Sequence, residues 1–209
     1  MAANPAPDCE DLAALQRGED AALNRIMMRW QRPLQGYAFR YVQNQADAQE
    51  LVAETFVRMY QHRTGLRKDT LLSAWLFTTL TNLCHNHYRW RRRHPTVSMA
   101  ALTEGNCTGS ESWQGSEPSP GAALERDEAL QLLRRAVDAL PHDLKSVMLL
   151  HHYEHLSYQE IAAVVGCSER GVETRLYRAR KRLRSELAGV LERPAPALLD
   201  SPEAVSARA

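Results

Sequence analysis

No stretch of this 209-residue chain approaches the roughly 20 consecutive apolar positions that cross a bilayer. Residues 1–10 lack a basic segment followed by an apolar one, so no signal peptide is expected and a cytoplasmic location is. Cysteine is sparse. The four present, Cys9, Cys84, Cys107 and Cys167, form no CxxC pair, which speaks against a disulfide framework or a zinc finger and for free thiols in a reducing compartment. Strand signals are missing too: there are no alternating runs rich in Val, Ile and Thr. Charge of one sign is not in excess, since the formal net charge is only +1.

What the chain has is helical spacing nearly throughout, enough apolar side chains (44%) for packed cores, and charge that is segregated along its length. Arg89, Arg91, Arg92 and Arg93 stand together with no acid beside them. A second basic run holds Arg175, Arg178, Arg180, Lys181, Arg182 and Arg184, and the stretch 104–128 between the two runs is mostly acidic. Two basic faces separated by an acidic segment suit a protein that touches a polyanion at two places. The plainer possibility is that each run is a solvated helix face.

Composition divides the chain into an all-α architecture of two small helical domains and a linker. In the first block, 11–95, Leu23, Ile26, Trp30 and Leu34 recur at helical spacing, with Pro33 as an expected kink or boundary. Ala48, Leu51, Val52, Phe56 and Met59 make a second apolar stripe, and a third helix is expected from Leu71 or Ser73 to Arg93, stopped by Pro95. Glycine, proline and serine dominate 96–122, which reads as a flexible acidic linker containing the isolated Trp113. Helical spacing returns over 123–191, where Pro141 opens a helix carrying Val147, Leu149 and Leu150. Residues 192–209 read as a disordered tail.

The best-defined motif lies in the second block. Ser157-Tyr158-Gln159-Glu160 fits a capping box, with Leu156 and Ile161 as its hydrophobic staple. Gly166 supplies a left-handed residue that ends the short helix, and Ser168 caps the next one. Ala162 allows a close helix crossing and Val172 packs back, which together give a helix-turn-helix. On the second helix Val172, Leu176, Ala179, Leu183 and Leu187 share the inner face. Arg170, Thr174, Tyr177, Lys181 and Arg184 point outward, with Arg178 largely so. A helix that is apolar inside and basic outside fits a major groove: its first turns reach base edges and its later cations neutralise phosphates. In the first block, Trp75, Thr79, Asn82, Asn86, Arg89 and Arg93 fall on one helix side. An aromatic for stacking, amides for base edges and arginines for the backbone meet the needs of single-strand capture, although Trp75 alone is more often a core anchor.

In this order and spacing the residues resemble the extracytoplasmic-function branch of the sigma-70 family. Asp47-Ala48-Gln49-Glu50-Leu51-Val52-Ala53-Glu54-Thr55-Phe56 looks like its polymerase-binding helix. Ala74-Trp75-Leu76, with Asn82 and the Arg89–Arg93 cluster, looks like its melting and −10 helix. Leu140-Pro141 followed by Leu156-Ser157-Tyr158-Gln159-Glu160-Ile161-Ala162 looks like the start of its fourth region, and Arg175-Leu176-Tyr177-Arg178-Ala179-Arg180 like the end of its −35 helix. The resemblance spans roughly residues 11 to 190.

It implies core RNA polymerase and promoter DNA as partners, an anti-sigma protein as regulator, and no catalytic residue, metal or cofactor. By the same resemblance, polymerase contacts fall to Asp47, Glu50, Leu51, Glu54 and Phe56. Contacts to −10 DNA fall to Trp75, Asn82, Asn86, Arg89, Arg91, Arg92 and Arg93, with the loop from about His62 to Thr70 receiving unstacked bases. Contacts to −35 DNA fall to Ser168, Arg170, Glu173, Thr174, Arg175, Tyr177, Arg178 and Lys181.

Three departures stand out. Ala53 replaces a frequent glutamine. Gly171 replaces a frequent threonine and should loosen the start of the recognition helix. Glu173 replaces a basic residue, and could accept from a cytosine amine.

Two rivals remain from the sequence. One is a helix-turn-helix regulator that works without core polymerase; it has no use for the Trp75–Asn82–arginine face. The other is a metal-dependent enzyme built on His151 and His155, four apart on an expected helix, with His152 and Glu154, or on His85, His87 and Cys84; no HExxH motif accompanies them.

Overall fold

The computed structural model describes residues 5–67, 70–94 and 130–191. Among them every regular element is helical: α1 (Pro5–Gln16), α2 (Asp20–Val42), α3 (Gln45–His62), a single 3-10 turn (Arg63–Gly65), α4 (Leu72–Arg93), α5 (130–138), α6 (His142–His152), α7 (Tyr158–Val165) and α8 (Glu169–Leu191). The linker expected at 96–122, with Trp113 and Cys107, and the tail expected at 192–209 lie outside the described residues.

The first block is a bundle of α1 to α4. Along α2, Ala22, Ile26, Trp30, Leu34, Tyr37 and Tyr41 recur every three or four positions and all are buried. Burying each large side chain of this kind contributes about 2 kcal/mol. Pro33 neither breaks nor ends α2. It removes one backbone donor, and the buried positions on both sides of it keep the helix continuous. The helix ends where Gln43 turns left-handed (φ 56°) and its N–H returns to the Phe39 carbonyl. Asn44 then caps α3 by accepting from the Asp47 N–H at 3.0 Å. The core of the block is aromatic: Phe77 of α4 meets Trp30 and Tyr37 edge-on, at 6.2 and 5.6 Å between centroids, and the Tyr37 and Thr81 hydroxyls bond at 2.9 Å.

Helix α1 begins at Pro5, ahead of the expected boundary at residue 11. Its attachment is ionic as well as apolar. The buried carboxylates of Asp8 and Asp11 are met by Arg29, Arg25 and the Trp30 indole N–H.

In the second block α6, α7 and α8 pack around Val147, Leu150, Leu156, Ile161, Val164, Val172 and Leu176, while Leu140, Leu144, Met148 and Ala179 form a smaller cluster under α5 and α8. The two blocks are in contact. Helix α4 packs on α7 and α2 on α6, so one apolar cluster runs through both.

Candidate nucleic-acid and polymerase interface

The helix-turn-helix forms as its sequence dictates. The Ser157 hydroxyl accepts from the Glu160 N–H at 3.3 Å and the Glu160 carboxylate accepts from the Ser157 N–H at 2.8 Å, which closes the capping box. Gly166 ends α7 at φ 65°, a conformation that disfavours any side chain. Ser168 opens α8 by accepting from the Gly171 N–H at 3.2 Å. A Cβ on Gly171 would stand 3.3 Å from the Cys167 sulfur and 3.4 Å from the Ser168 hydroxyl. The glycine thus lets the turn tuck tightly against the start of α8.

On α8, Val172, Leu176 and Ala179 are buried, while Arg170, Glu173, Thr174, Tyr177, Arg178 and Lys181 are exposed along one side, with Ser168 exposed at its head. Tyr177 is 67% exposed, far more than an aromatic with a packing role. The Thr174 hydroxyl donates back to the Arg170 carbonyl at 2.8 Å. Arg175 departs from expectation. It sits at the flank of the helix, half-buried, near enough to His142 to act on it electrostatically. Leu183 and Leu187 are only half-buried.

On α4, Asn82, Asn86, Arg89 and Arg93 are exposed at positions that repeat along one helix side, with Trp75 and Thr79 half-buried below them. Arg92 is exposed on the flank. Arg91 is not brought to this face. Nine residues from Asn82, it points to the opposite side, where it donates to Asp47 of α3 at 3.3 Å with His87 nearby at 3.5 Å.

The expected polymerase surface divides in two. Leu51 (8% exposed) and Phe56 (5%) lie in the core of the first block, because both fall on the inner stripe of α3 with Ala48, Val52 and Met59. They hold the helix and present no contact surface, a correction to the expectation for both. Glu50 is exposed, Asp47 and Glu54 are half-exposed, and Glu54 pairs with Arg58 at 2.8 Å. Sequence reasoning missed Val57, which stands half-exposed beside Glu50 and Glu54. Its signal was an apolar residue off the inner stripe.

Between the blocks lies a seam of aromatic and basic groups. Lys145, 4% exposed, donates to the Tyr41 carbonyl at 2.6 Å and to Asp138 at 2.6 Å. The His142 ring stacks on His85 at 3.7 Å between centroids and bonds to the Tyr41 hydroxyl through Nδ1. Thr78 donates to the Val164 carbonyl at 3.3 Å, and the Arg40 guanidinium lies over the Tyr153 ring at 4.2 Å. Burial pushes Glu154 up to about 7 against the pull of Arg40, and it pushes the Cys84 thiol up to about 12 despite Lys145, leaving that thiol protonated. His151 and His155 do not share a helix: α6 ends at His152 and His155 is left-handed (φ 54°), so the spacing expected of a metal-binding pair is not realised.

Two groups in the seam carry opposite pH dependences. Burial, then His85, Arg175 and Lys145, against the opposite pull of Asp143, depress His142 from 6.5 to about 4. Its neighbour His85 is itself depressed by burial and by Arg89. Separated blocks therefore bind protons near pH 6.5 that the packed form refuses until about pH 4. The His142 contribution to packing is full above that window and fades as pH falls through it, whereas Glu154, pushed up to about 7 by burial, favours packing more as pH falls below 7. In a Glu154→Gln variant, which removes the opposing carboxyl, small-angle scattering should show the radius of gyration rising below about pH 6 with helix content retained; a constant radius down to about pH 5 in that variant contradicts this.

Comparison with known proteins places these features. Residues 26–94 match the model of sigma-70 region 2, and residues 130–183 that of sigma-70 region 4; together they take in over half of the chain. The chain is 28% identical over 177 residues to the RNA polymerase sigma-H factor of Pseudomonas aeruginosa, covering 85% of this chain and 92% of that protein. It is 27% identical over 179 residues to the ECF RNA polymerase sigma-E factor of Escherichia coli, covering 86% and 93%. Two solved structures share its fold. One is CnrH in complex with the cytosolic domain of CnrY (TM-score 0.65, 24% identity, 88% of this chain and 98% of that one). The other is the sigma factor RpoE in complex with the anti-sigma factor NepR from Bartonella quintana (TM-score 0.57, 24% identity, 79% and 96%).

Proposed function

The chain belongs to the extracytoplasmic-function branch of the sigma-70 family, and from that premise we propose how its two exposed faces divide the work of promoter recognition. It binds core RNA polymerase and directs promoter recognition and transcription initiation. The observation that carries the division of labour is that Asn82, Asn86, Arg89 and Arg93 on α4 and Arg170, Thr174, Tyr177, Arg178 and Lys181 on α8 are all exposed, on separate helical blocks. We assign the first block, 11–95 together with the start of α1 from Pro5, to polymerase binding and the −10 element. The second, 123–191, reads −35 duplex.

On α8 the N-terminal residues Ser168, Arg170, Glu173 and Thr174 meet base edges in the major groove, and Arg178 and Lys181 meet phosphates. On α4 the two amides hydrogen-bond unstacked bases while Arg89 and Arg93 hold the backbone. Glu50, Glu54 and Val57 form the polymerase contact, with Asp47 tied to Arg91. The protein is no enzyme in this account. Binding melted DNA more tightly than duplex shifts the population toward the open promoter, with no covalent step.

The packed arrangement of the blocks is a resting form. By their names the two promoter elements lie about 25 base pairs apart, roughly 80 Å along B-DNA, whereas α4 and α7 touch. Both elements are engaged only after the seam opens, and a linker over 96–122 reaches about 90 Å at full extension. An anti-sigma protein that binds the packed form is the regulator this fits, and the cytoplasm is the compartment. The structural relative RpoE, determined in complex with the anti-sigma factor NepR, supports that assignment.

A mobility-shift assay separates this function from a regulator that acts alone. Tight binding to promoter DNA should appear only when core polymerase is added. Equal affinity for the duplex without polymerase contradicts it.

A further inference from the structure

We infer that Gln16, in the last turn of α1, is a positioning residue for −10 recognition, acting by clamping the turn that leads out of α3. The inference rests on the −10 assignment above and adds a residue that precedes the stretch matched by region 2. The Gln16 side-chain nitrogen donates both its hydrogens, to the Arg63 carbonyl at 2.8 Å and the Leu66 carbonyl at 2.7 Å. These two carbonyls bracket the 3-10 turn Arg63–Gly65.

Burial does little to hold that turn. None of its residues is buried, and a Cβ on Gly65 would find no atom within 4 Å. Another side-chain anchor is Arg63 itself, whose guanidinium lies 4.0 Å over the Tyr60 ring and donates to the Tyr60 carbonyl at 2.7 Å. Side-chain hydrogen bonds therefore help to set the shape of this backbone, and Gln16 supplies two of them. The clamp has a firm base. Asp8 and Asp11, on the same helix, are tied to Arg25, Arg29 and Trp30 of α2. The clamped turn stands between α3, which carries the polymerase contact, and α4, which carries Asn82 and Asn86. A fixed turn holds one geometry for the incoming strand, and a released one accepts several.

The test uses the full chain with core polymerase, on templates carrying single base changes in the −10 or the −35 element. Gln16→Glu keeps the side-chain length but turns two acceptors toward two carbonyls. Discrimination among −10 variants should fall about tenfold, the cost of losing two such bonds. Discrimination among −35 variants and affinity for core polymerase should stay at the wild-type level. Gln16→Lys, which keeps a donor, should restore most of the −10 discrimination, and this also guards against a glutamate variant that simply folds poorly. Loss of transcription by one common factor on all templates, or undiminished −10 discrimination in Gln16→Glu, overturns the inference. If the wild type itself ignores −10 changes, the −10 assignment has failed and the inference falls with it.

Discussion

Replacing Asn82 and Asn86 together by alanine is expected to lower promoter opening about a hundredfold, roughly 1.4 kcal/mol for each amide. Both side chains are exposed on α4 and stand in line with Arg89 and Arg93. Truncating them leaves no cavity and unpairs no buried group, so stability should change little. The lost interactions are those made with bases that leave the stack, and the effect should concentrate in the opening step. Permanganate reactivity of unpaired thymines and the yield of abortive transcripts measure this directly. Arg91→Ala provides the contrast. It lies on the opposite side of the helix and is tied to Asp47, so opening should change by less than about threefold. Equal effects of the two changes would mean that the arginine cluster acts as diffuse charge and that the Asn82 face has no special role.

Arg29→Ala is expected to cost about 3 kcal/mol of stability and roughly 10 °C in Tm. Arg29 is itself mostly buried and donates to both Asp8 and Asp11, which are nearly inaccessible. Without it both carboxylates stay in the interior with only Trp30 and Arg25 to meet them. Burial alone would raise the Asp11 carboxyl. The hydrogen bonds and charges of Arg29 and Arg25 overcome that and hold it below its usual value of 3.8. The stabilisation is therefore present above about pH 4 and is lost as pH falls through the depressed value. Arg17→Ala removes only the exposed pair with Glu19 and should shift Tm by about 1 °C or less. Thermal denaturation of the three proteins at neutral pH reads the difference. A loss as small as that of Arg17→Ala would show that α1 is held by its apolar contacts with Leu12 and Leu15 alone.

The helix-turn-helix was legible in the sequence because its signals are local. Ser157 and Glu160, Gly166 and Ser168 each act within a few residues, and the inner stripe of α8 repeats at helical spacing. The outward face of α4 was legible for the same reason. Periodicity was harder to use on α3. Leu51 and Phe56 carry the resemblance to a polymerase-binding helix, yet the same spacing places them on the buried stripe, so only Glu50 and its exposed neighbours remain for a partner. Pro33 looked like a boundary because local rules count the lost hydrogen bond and not the tertiary burial of Leu34 and Tyr37 beside it. Helix α1 escaped notice because its amphipathic pattern is weak and its attachment is ionic, through partners at Arg25 and Arg29. The seam between the blocks was beyond reach. Tyr41 and Lys145 meet across 104 positions, and nothing in either neighbourhood announces the other.

Run-off transcription with purified core polymerase, on a promoter library randomised in both elements, tests the central claim most directly. Adding the protein should produce discrete start sites, and the selected templates should be enriched at two separated elements. Asn82→Ala should flatten the −10 enrichment and Arg178→Ala the −35 enrichment. No discrete starts above core polymerase alone, or selection at one element only, would contradict the assignment of α4 and α8 to two parts of one promoter.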